Sequence, residues 1–533
     1  MPTLLQQWVT EQAEARPERS AVVHAGARLS YGDLERLSNQ LARTLKAAGC
    51  RTGDRVAVLM PKSPMAIASL LAIYKADAIY VPLDPASPPS RLSKILASCD
   101  NRWLLAAGIA PSQVRALLAG DARRRRMSLG WLDDLNAADA DLRAAFTLAD
   151  VTSMPGEGLS YEHGAADAAH ILFTSGSTGA PKGVIITHGN VIAFVEWGTK
   201  YFGMNASDRV SGHPPLHFDL SFFDLFGTFA AGAELHLVPA ELGLLPNKLA
   251  DLIRTSELTQ WFSVPSALTY MARFETVRLG DFPALKRVLW CGEVLPTPTL
   301  IYWMQRLPHV QFTNLYGPTE ATIASSYYTV PACPWDPQAP LPIGTACDGE
   351  ELLVLDETRR PVAAGETGDL YIAGAGLSPG YWRDRERTEA AFVPRPDRPS
   401  ERIYKTGDLA RIGDGGLVYF LGRADTQIKS RGYRIELGEI EAALNAVDGV
   451  QESAVVALST SGFEGTAICC AYVRAPGARV TPATLRLALR EQLPAYMMPA
   501  RWLAFEELPK NGNGKIDRPR LKEAFATDEV QAS

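Results

Sequence analysis

The sequence predicts an α/β protein with parallel sheets, followed by a small antiparallel β unit and a separate second domain. Three observations predict it. From Arg55 to Gly317, short β-rich runs alternate with helix-like runs, the pattern of parallel strands joined through helices. After residue 340 the texture changes to short strands and Gly/Pro turns. Beyond Gly422-Arg423-Ala424-Asp425, a piece of about 110 residues carries its own helices and strands and is large enough to fold by itself. A chain of 533 residues with 47% apolar content also exceeds one ordinary domain and can bury a sizeable core.

In chain order, RVAVLM (55–60) reads as a strand, 65–76 as a helix and AIYVPL (78–83) as a strand, with a helix near Arg91. An apolar run at 169–173 feeds a Gly/Ser/Thr loop as a strand would, and 190–197 after it reads as a helix. ELHLV (234–238), QWFSV (260–264), RVLWCG (287–292) and VQFTNLYG (310–317) are strands separated by helical stretches. Ligands in such folds sit at the carboxyl ends of strands, where the loop, Gly292 with Glu293, and residues 316–320 all fall. ELLVLD (351–356) and GDLYIAG (368–374) begin the antiparallel unit. GAGLSPG (374–380) lacks the spacing of a dinucleotide fingerprint, so a turn accounts for it. The second domain has helices near 439–446 and 483–493 around the strands SAVVAL (453–458) and AICCAYVR (467–474).

Composition narrows the function. A net charge of −6 recommends neither nucleic acid nor an anionic membrane as partner. The run Arg123 to Arg126 reads as a solvated face rather than a binding patch. The seven cysteines are odd in number, scattered, and show no C-x-x-C spacing, so they read as reduced, mostly buried thiols. No signal segment opens the chain and no run of about 18 apolar residues occurs, which predicts a soluble cytoplasmic protein.

FTSGSTGAPKGV (173–184) carries the most chemistry. Thr174, Ser175, Ser177 and Thr178 offer hydroxyls, Gly176 and Gly179 permit close backbone approach, and Lys182 adds a cation, a set that suits a triphosphate. It is not a Walker loop, because G-x-x-x-x-G-K-[ST] is absent and Pro181 precedes the lysine. A Gly/Ser linker is the bland alternative; the placed lysine argues against it.

The ordered motifs YKADAIYVPLDP (74–85), FTSGSTGAPKGV, HFDLSFFDLFG (217–227), NLYGPTEATI (314–323), GDLYIAGAGLSPGYW (368–382), YKTGDL (404–409), GRADTQIKSRGYRIELGEIE (422–441) and NGNGKIDR (511–518) run through nearly the whole chain. Together they make it resemble the adenylate-forming superfamily, and within it the amino-acid-activating adenylation domains of nonribosomal peptide synthesis. The resemblance implies a large N-terminal domain (1–422) of two doubly wound α/β subdomains plus a small β-barrel-like subdomain. A hinge (423–425, centred on Asp425) and a mobile α+β C-terminal domain (426–533) would follow.

It also implies a chemistry. A carboxylate attacks the α-phosphate of ATP, pyrophosphate leaves, and the acyl-adenylate passes to a thiol, usually the phosphopantetheine arm of a carrier protein. On this resemblance the loop at 174–182, with Lys182, binds the β- and γ-phosphates. Glu320, with the hydroxyls of Thr174 and Thr178, holds Mg²⁺, a hard cation that prefers oxygen. Tyr316 lies against adenine beside Asn314, Gly317 and the Gly292–Glu293 backbone. Asp408 accepts from the ribose hydroxyls, and Thr319 and Arg423 complete the nucleotide contacts. Lys515 is the catalytic lysine. Taken singly, Asp408 would be a turn residue and Lys515 a surface turn lysine; their company within the motifs argues for function.

For the substrate, the resemblance makes Asp219 the partner of an α-ammonium group. Its alternative is an N-cap on the helical run that follows. The implied side-chain pocket is Asp219, Leu220, Phe223, Phe262, Leu289, Cys291, Leu315, Ile323 and Ala324, closed by Lys515. That lining suits a small apolar side chain and offers a charged one no partner. The pattern is similar to stand-alone proline-activating enzymes, but Phe262, Cys291 and Ala324 depart from it, so alanine, valine, 2-aminobutyrate and cysteine stay open beside L-proline. His217 borders the thiol path or simply packs. Lys405 and Ser430 depart from the family pattern and bear only on hinge or carrier contacts. The expectation is a free-standing ligase serving a separate carrier protein, with an acyl- or aryl-CoA ligase and a non-catalytic nucleotide binder as rivals.

Overall fold

The computed structural model describes residues 2–119, 126–133, 142–176, 180–460, 466–511 and 515–532. The chain divides into two units. The first takes residues 1–85, 96–173 and 183–422, and the second takes 86–95, 174–182 and 423–533.

Two large sheets carry the first unit. In one, Phe146–Thr147, Ser128–Trp131, Trp103–Ala106, Arg55–Leu59, Ile79–Pro82 and Ala168–Thr174 lie parallel in that order, continued by Lys182–Thr187 and the edge strand Gly380–Tyr381. In the other, Glu234–Leu237, Arg209–Gly212, Gln260–Ser263, Arg287–Trp290 and Gln311–Tyr316 lie parallel. Antiparallel Ser326–Thr329 with Thr345–Ala346 finish one edge, while at the other Ser20–His24 pairs parallel with Glu234–Leu237 and carries the antiparallel Ala27–Ser30. These short β-branched and aromatic runs are buried on both faces, as parallel strands under helices must be.

The helix Pro64–Lys75 shows how local sequence sets an element. Ser63 accepts from the Ala66 N–H, Pro64 occupies the first helical position, and every residue from Ala66 to Lys75 is buried. Its terminal Lys75 is tolerated because Glu35 (2.6 Å), Ser38 (2.8 Å) and Asn39 (2.7 Å) receive its ammonium.

The antiparallel unit is a five-stranded sheet of Glu350–Leu355, Thr367–Gly374, Arg402–Ile412, Phe392–Pro394 and Val418–Arg423. The second unit contains the hairpin Gln427–Ser430 with Tyr433–Glu436, the helix Leu437–Asn445, and a three-stranded sheet of Val450–Ser459, Thr466–Arg474 and Arg501–Phe505. Its apolar core gathers Ile440, Leu444, Val455, Cys470, Leu485 and Leu489.

One local expectation changes. The helix expected after the loop at 174–182 does not follow it directly. Lys182–Thr187 is a strand neighbouring Ala168–Thr174, and only then does the helix His188–Tyr201 begin, capped by Thr187. The short β-branched run VIIT explains the added strand. All seven cysteines are free thiols and all but Cys333 are buried. Of the arginine run, Arg126 is exposed and Arg123 to Arg125 lie outside the described residues. Among the described residues no helix is long and apolar enough to cross a membrane.

Candidate active site

The alternation of strand side chains gathers the residues expected to line the pocket. Trp261, Val288, Trp290 and Phe312 feed one apolar core, while Phe262, Leu289 and Leu315, on the opposite face, feed the other. Phe262 pairs in register with Leu289 on the neighbouring strand, so their side chains rise side by side. Cys291, Ile323 and Ala324 join the same cluster, the Cys291 thiol lying 3.9 Å from the Ile323 carbonyl oxygen. From across the wall, the helix Leu220–Ala231 contributes Leu220 and Phe223, three apart and therefore on one face. Phe223 meets Phe262 edge-on with ring centroids 6.2 Å apart. It lies in a notch of Gly198 and Gly227, where an added Cβ would stand 2.6 and 3.1 Å from its ring. All eight apolar pocket residues named from the sequence are buried.

Asp219 stands at the head of that helix, 8% exposed. Its backbone is already helical (φ −60°, ψ −32°) and its side chain makes no capping hydrogen bond, so the N-cap alternative does not hold.

The segment 316–325 brings together residues expected at the nucleotide and residues expected at the substrate. Ser325 N–H donates to the Tyr316 carbonyl (2.7 Å), and a Cβ on Gly317 would lie 2.5 Å from the Ala324 Cα, so only glycine fits there. Thr322 and Ile323, both β-branched, hold positive φ of 56° and 68°. Such backbone persists only where surroundings enforce it, and it gathers at functional sites. Here the Thr322 hydroxyl donates to the Gly376 carbonyl (2.7 Å). Thr319 and Glu320 form a short 3₁₀ turn, and the fully buried Glu320 accepts from the Tyr381 hydroxyl at 2.8 Å.

Tyr316 donates its hydroxyl hydrogen to Asp408. Asp408 is not in a turn but within the strand Arg402–Ile412, at the irregularity where pairing skips between Asp369 and Tyr371. Its N–H donates to the Thr406 hydroxyl at 3.0 Å. Asn314 donates to the Pro342 carbonyl (2.9 Å), Gly292 takes φ +98°, and the Glu293 carboxylate receives the Ser266 N–H (3.0 Å) at the start of the helix Pro265–Arg273.

The remaining predicted residues belong to the second unit. The Thr174 hydroxyl is buried with no hydrogen-bond partner among the described residues, as a hydroxyl kept for a phosphate or metal would be. Ser175 donates to the Arg434 carbonyl (2.7 Å) and receives the Glu436 N–H (3.2 Å). The Gly176 N–H faces Glu439, whose carboxyl burial pushes up while Arg91 opposes the shift. Lys182 opens its strand. Ser177, Thr178 and Gly179 lie outside the described residues. Arg423 grips Asp425 with two bonds (2.7 and 2.5 Å); burial raises the Asp425 carboxyl, but Arg423 brings it net below its ordinary value. Lys515 is exposed on a turn closed by Asn511 N–H to its carbonyl (2.7 Å) and by its own N–H to the Asn511 side chain (3.1 Å).

Sequence reading missed Thr322, Tyr381 and the Tyr316 to Asp408 bond. Each depends on a partner distant in sequence, and no local pattern marks it.

Residues 9–382 match the family of AMP-binding enzymes and 439–515 match the AMP-binding enzyme C-terminal domain. The chain is 33% identical over 524 residues to tyrocidine synthase 3 of Brevibacillus parabrevis, covering 98% of this chain and 8% of that protein. It is 36% identical over 520 residues to phosphinothricin tripeptide synthetase PhsC of Streptomyces viridochromogenes, covering 97% of this chain and 45% of that one. It therefore spans less than half of either relative. The solved Vibrio cholerae adenylation domain AlmE, in complex with glycyl-adenosine-5'-phosphate, superposes with a TM-score of 0.86 at 26% identity, covering 99% of this chain and 98% of that one. With both family regions matched in order and the same architecture, the chain belongs to the AMP-binding enzymes of the adenylate-forming superfamily.

Proposed function

We propose that the protein activates a small apolar amino acid with ATP, forming aminoacyl-AMP and pyrophosphate, and then passes the aminoacyl group to the phosphopantetheine thiol of a carrier protein. The observation that carries this reading is Asp219, a buried carboxylate heading the helix that also supplies Leu220 and Phe223. A carboxylate at the head of that helix, beside Leu220 and Phe223, is placed to receive an α-ammonium group, the pairing that the motif HFDLS implies. Multi-enzyme peptide synthetases among the relatives, and the glycyl-adenylate held by AlmE, support the same substrate class.

The adenylation step needs positioning more than covalent chemistry. Asp219 fixes the ammonium end and the apolar wall excludes water. Asp408, oriented by Tyr316, accepts from the ribose hydroxyls. Lys515 balances the charge that shifts from carboxylate to phosphate, and Thr174 and Lys182 bind phosphate oxygens. Glu320 and Thr174 each offer an oxygen donor of the kind Mg²⁺ prefers, and the ion would neutralise phosphate charge; Thr178, the third expected ligand, lies outside the described residues. A hinge at 423–425, centred on Asp425, would let Lys515 serve adenylation in one state and residues 427–432 serve thiol transfer in the other. L-Proline is the first choice of substrate, ahead of alanine, valine, 2-aminobutyrate and cysteine, acting with a separate carrier protein.

Pyrophosphate exchange across a panel of those amino acids and a fatty acid tests the reading. Exchange dependent on a small apolar amino acid is expected. Exchange only with an acid that lacks an amine contradicts it and favours an acyl-CoA ligase.

A further inference from the structure

Lys62 lies between the strand Arg55–Leu59 and the helix Pro64–Lys75, outside the pocket and the nucleotide residues. Its ammonium donates to three consecutive backbone carbonyls, those of Gly212, His213 (2.7 Å) and Pro214 (3.3 Å). Three acceptors match the three N–H donors of an ammonium group. Those carbonyls end the strand Arg209–Gly212 and begin the segment leading to Asp219. Beyond Asp219, the same ammonium meets the field of Asp224, a 1% exposed carboxyl on the helix Leu220–Ala231.

Asp219 thus follows closely on the three carbonyls that Lys62 anchors. The intervening turn is short and closed, by the Phe218 N–H on the Pro215 carbonyl (2.9 Å) and the Ser221 hydroxyl on the Phe218 carbonyl (2.7 Å). Little slack separates the anchored carbonyls from the carboxylate. The arrangement is also costly, since a buried ammonium is tolerated only when its donors are satisfied. Burial pulls Lys62 down to about 7 while Asp224 opposes the shift. Burial likewise pushes the Asp224 carboxyl well up, against Lys62 and the His213 N–H, and with Lys62 it pulls the His213 imidazole down to about 3.

We propose that Lys62 is a positioning residue for the amino-acid site: by gripping the 212–214 carbonyls it fixes the closed turn that delivers the Asp219 carboxylate. The proposal rests on the amino-acid reading of Asp219 given above. Tyr316 and Asp408 are held by other strands, so the effect falls on the amino acid and spares ATP.

The test is pyrophosphate exchange by the full chain carrying Lys62→Met, Lys62→Gln or Lys62→Arg, with KM measured separately for amino acid and ATP. Lys62→Met should raise the amino-acid KM about tenfold or more, with kcat and the ATP KM within about threefold; Lys62→Gln should give a smaller rise and Lys62→Arg should recover most of the affinity. If Lys62→Met fails to fold, Lys62→Gln decides. An unchanged amino-acid KM in a folded variant, or equal rises for both substrates, overturns the role of Lys62 alone. Absence of exchange with every amino acid by the unsubstituted chain overturns the proposed function and this role together.

Discussion

The Tyr316 hydroxyl donates to Asp408 Oδ2 across 92 positions of sequence, joining the end of a parallel strand to an irregularity in the antiparallel sheet. One contact therefore aligns the expected adenine face and the expected ribose acceptor. Tyr316→Phe keeps the ring and removes the donor. A buried hydrogen bond to a charged group is worth about 1.5–3 kcal/mol, so the ATP KM should rise about tenfold or more while the amino-acid KM stays near its starting value. Asp408→Ala should cost more. Steady-state exchange kinetics with each substrate varied in turn check both.

Gly317→Ala should damage stability and activity together. The new Cβ would sit 2.5 Å from the Ala324 Cα, and backbone cannot swing aside as a side-chain tip can. Overpacking of this kind costs about 1–3 kcal/mol, and relief would displace Ile323 and Ala324 from the pocket. A lower melting temperature with weakened amino-acid affinity is expected; an unchanged protein would show that the 316–325 segment is less constrained than its geometry implies.

The buried imidazoles should draw stability down with acid, against the raised carboxyls of Asp224 and Glu350, which gain stability in the same direction. Burial, aided by His163, pulls His188 down to about 3; burial, aided by Lys62, does the same to His213; and His170 lies well below its ordinary value through burial and His188. In each case the unfolded imidazole binds a proton that the folded one refuses. The stability is whole above the ordinary value of 6.5 and is lost as pH falls from there toward 3. Thermal melts should show a midpoint level from about pH 7.5 to about pH 6.5 and falling from there to about pH 5. A flat midpoint over that range would contradict the assignment of these rings as buried and neutral.

Much of this architecture was legible because buried parallel strands announce themselves as short β-branched runs, as RVAVLM and RVLWCG do. The hairpin at 20–30 was not, since its place depends on Val22 pairing with Leu235 far along the chain. The strand Lys182–Thr187 was passed over in favour of the helix behind it. Asp219 was legible through its motif, yet sequence alone left the N-cap open; the helical backbone at Asp219 and its uncapped N-terminus close it. Lys62, Thr322 and Tyr381 carried no local signal, because each acts on a carbonyl or carboxylate that only folding brings near.

The most direct measurement is the amino-acid KM of Asp219→Asn in pyrophosphate exchange, alongside the unsubstituted chain. Breaking a buried ion pair costs about 3–5 kcal/mol, so the account expects a rise of about 10²-fold or more with the ATP KM little changed. A folded Asp219→Asn protein that binds its amino acid as tightly as before would contradict the claim that this carboxylate receives the substrate's ammonium group.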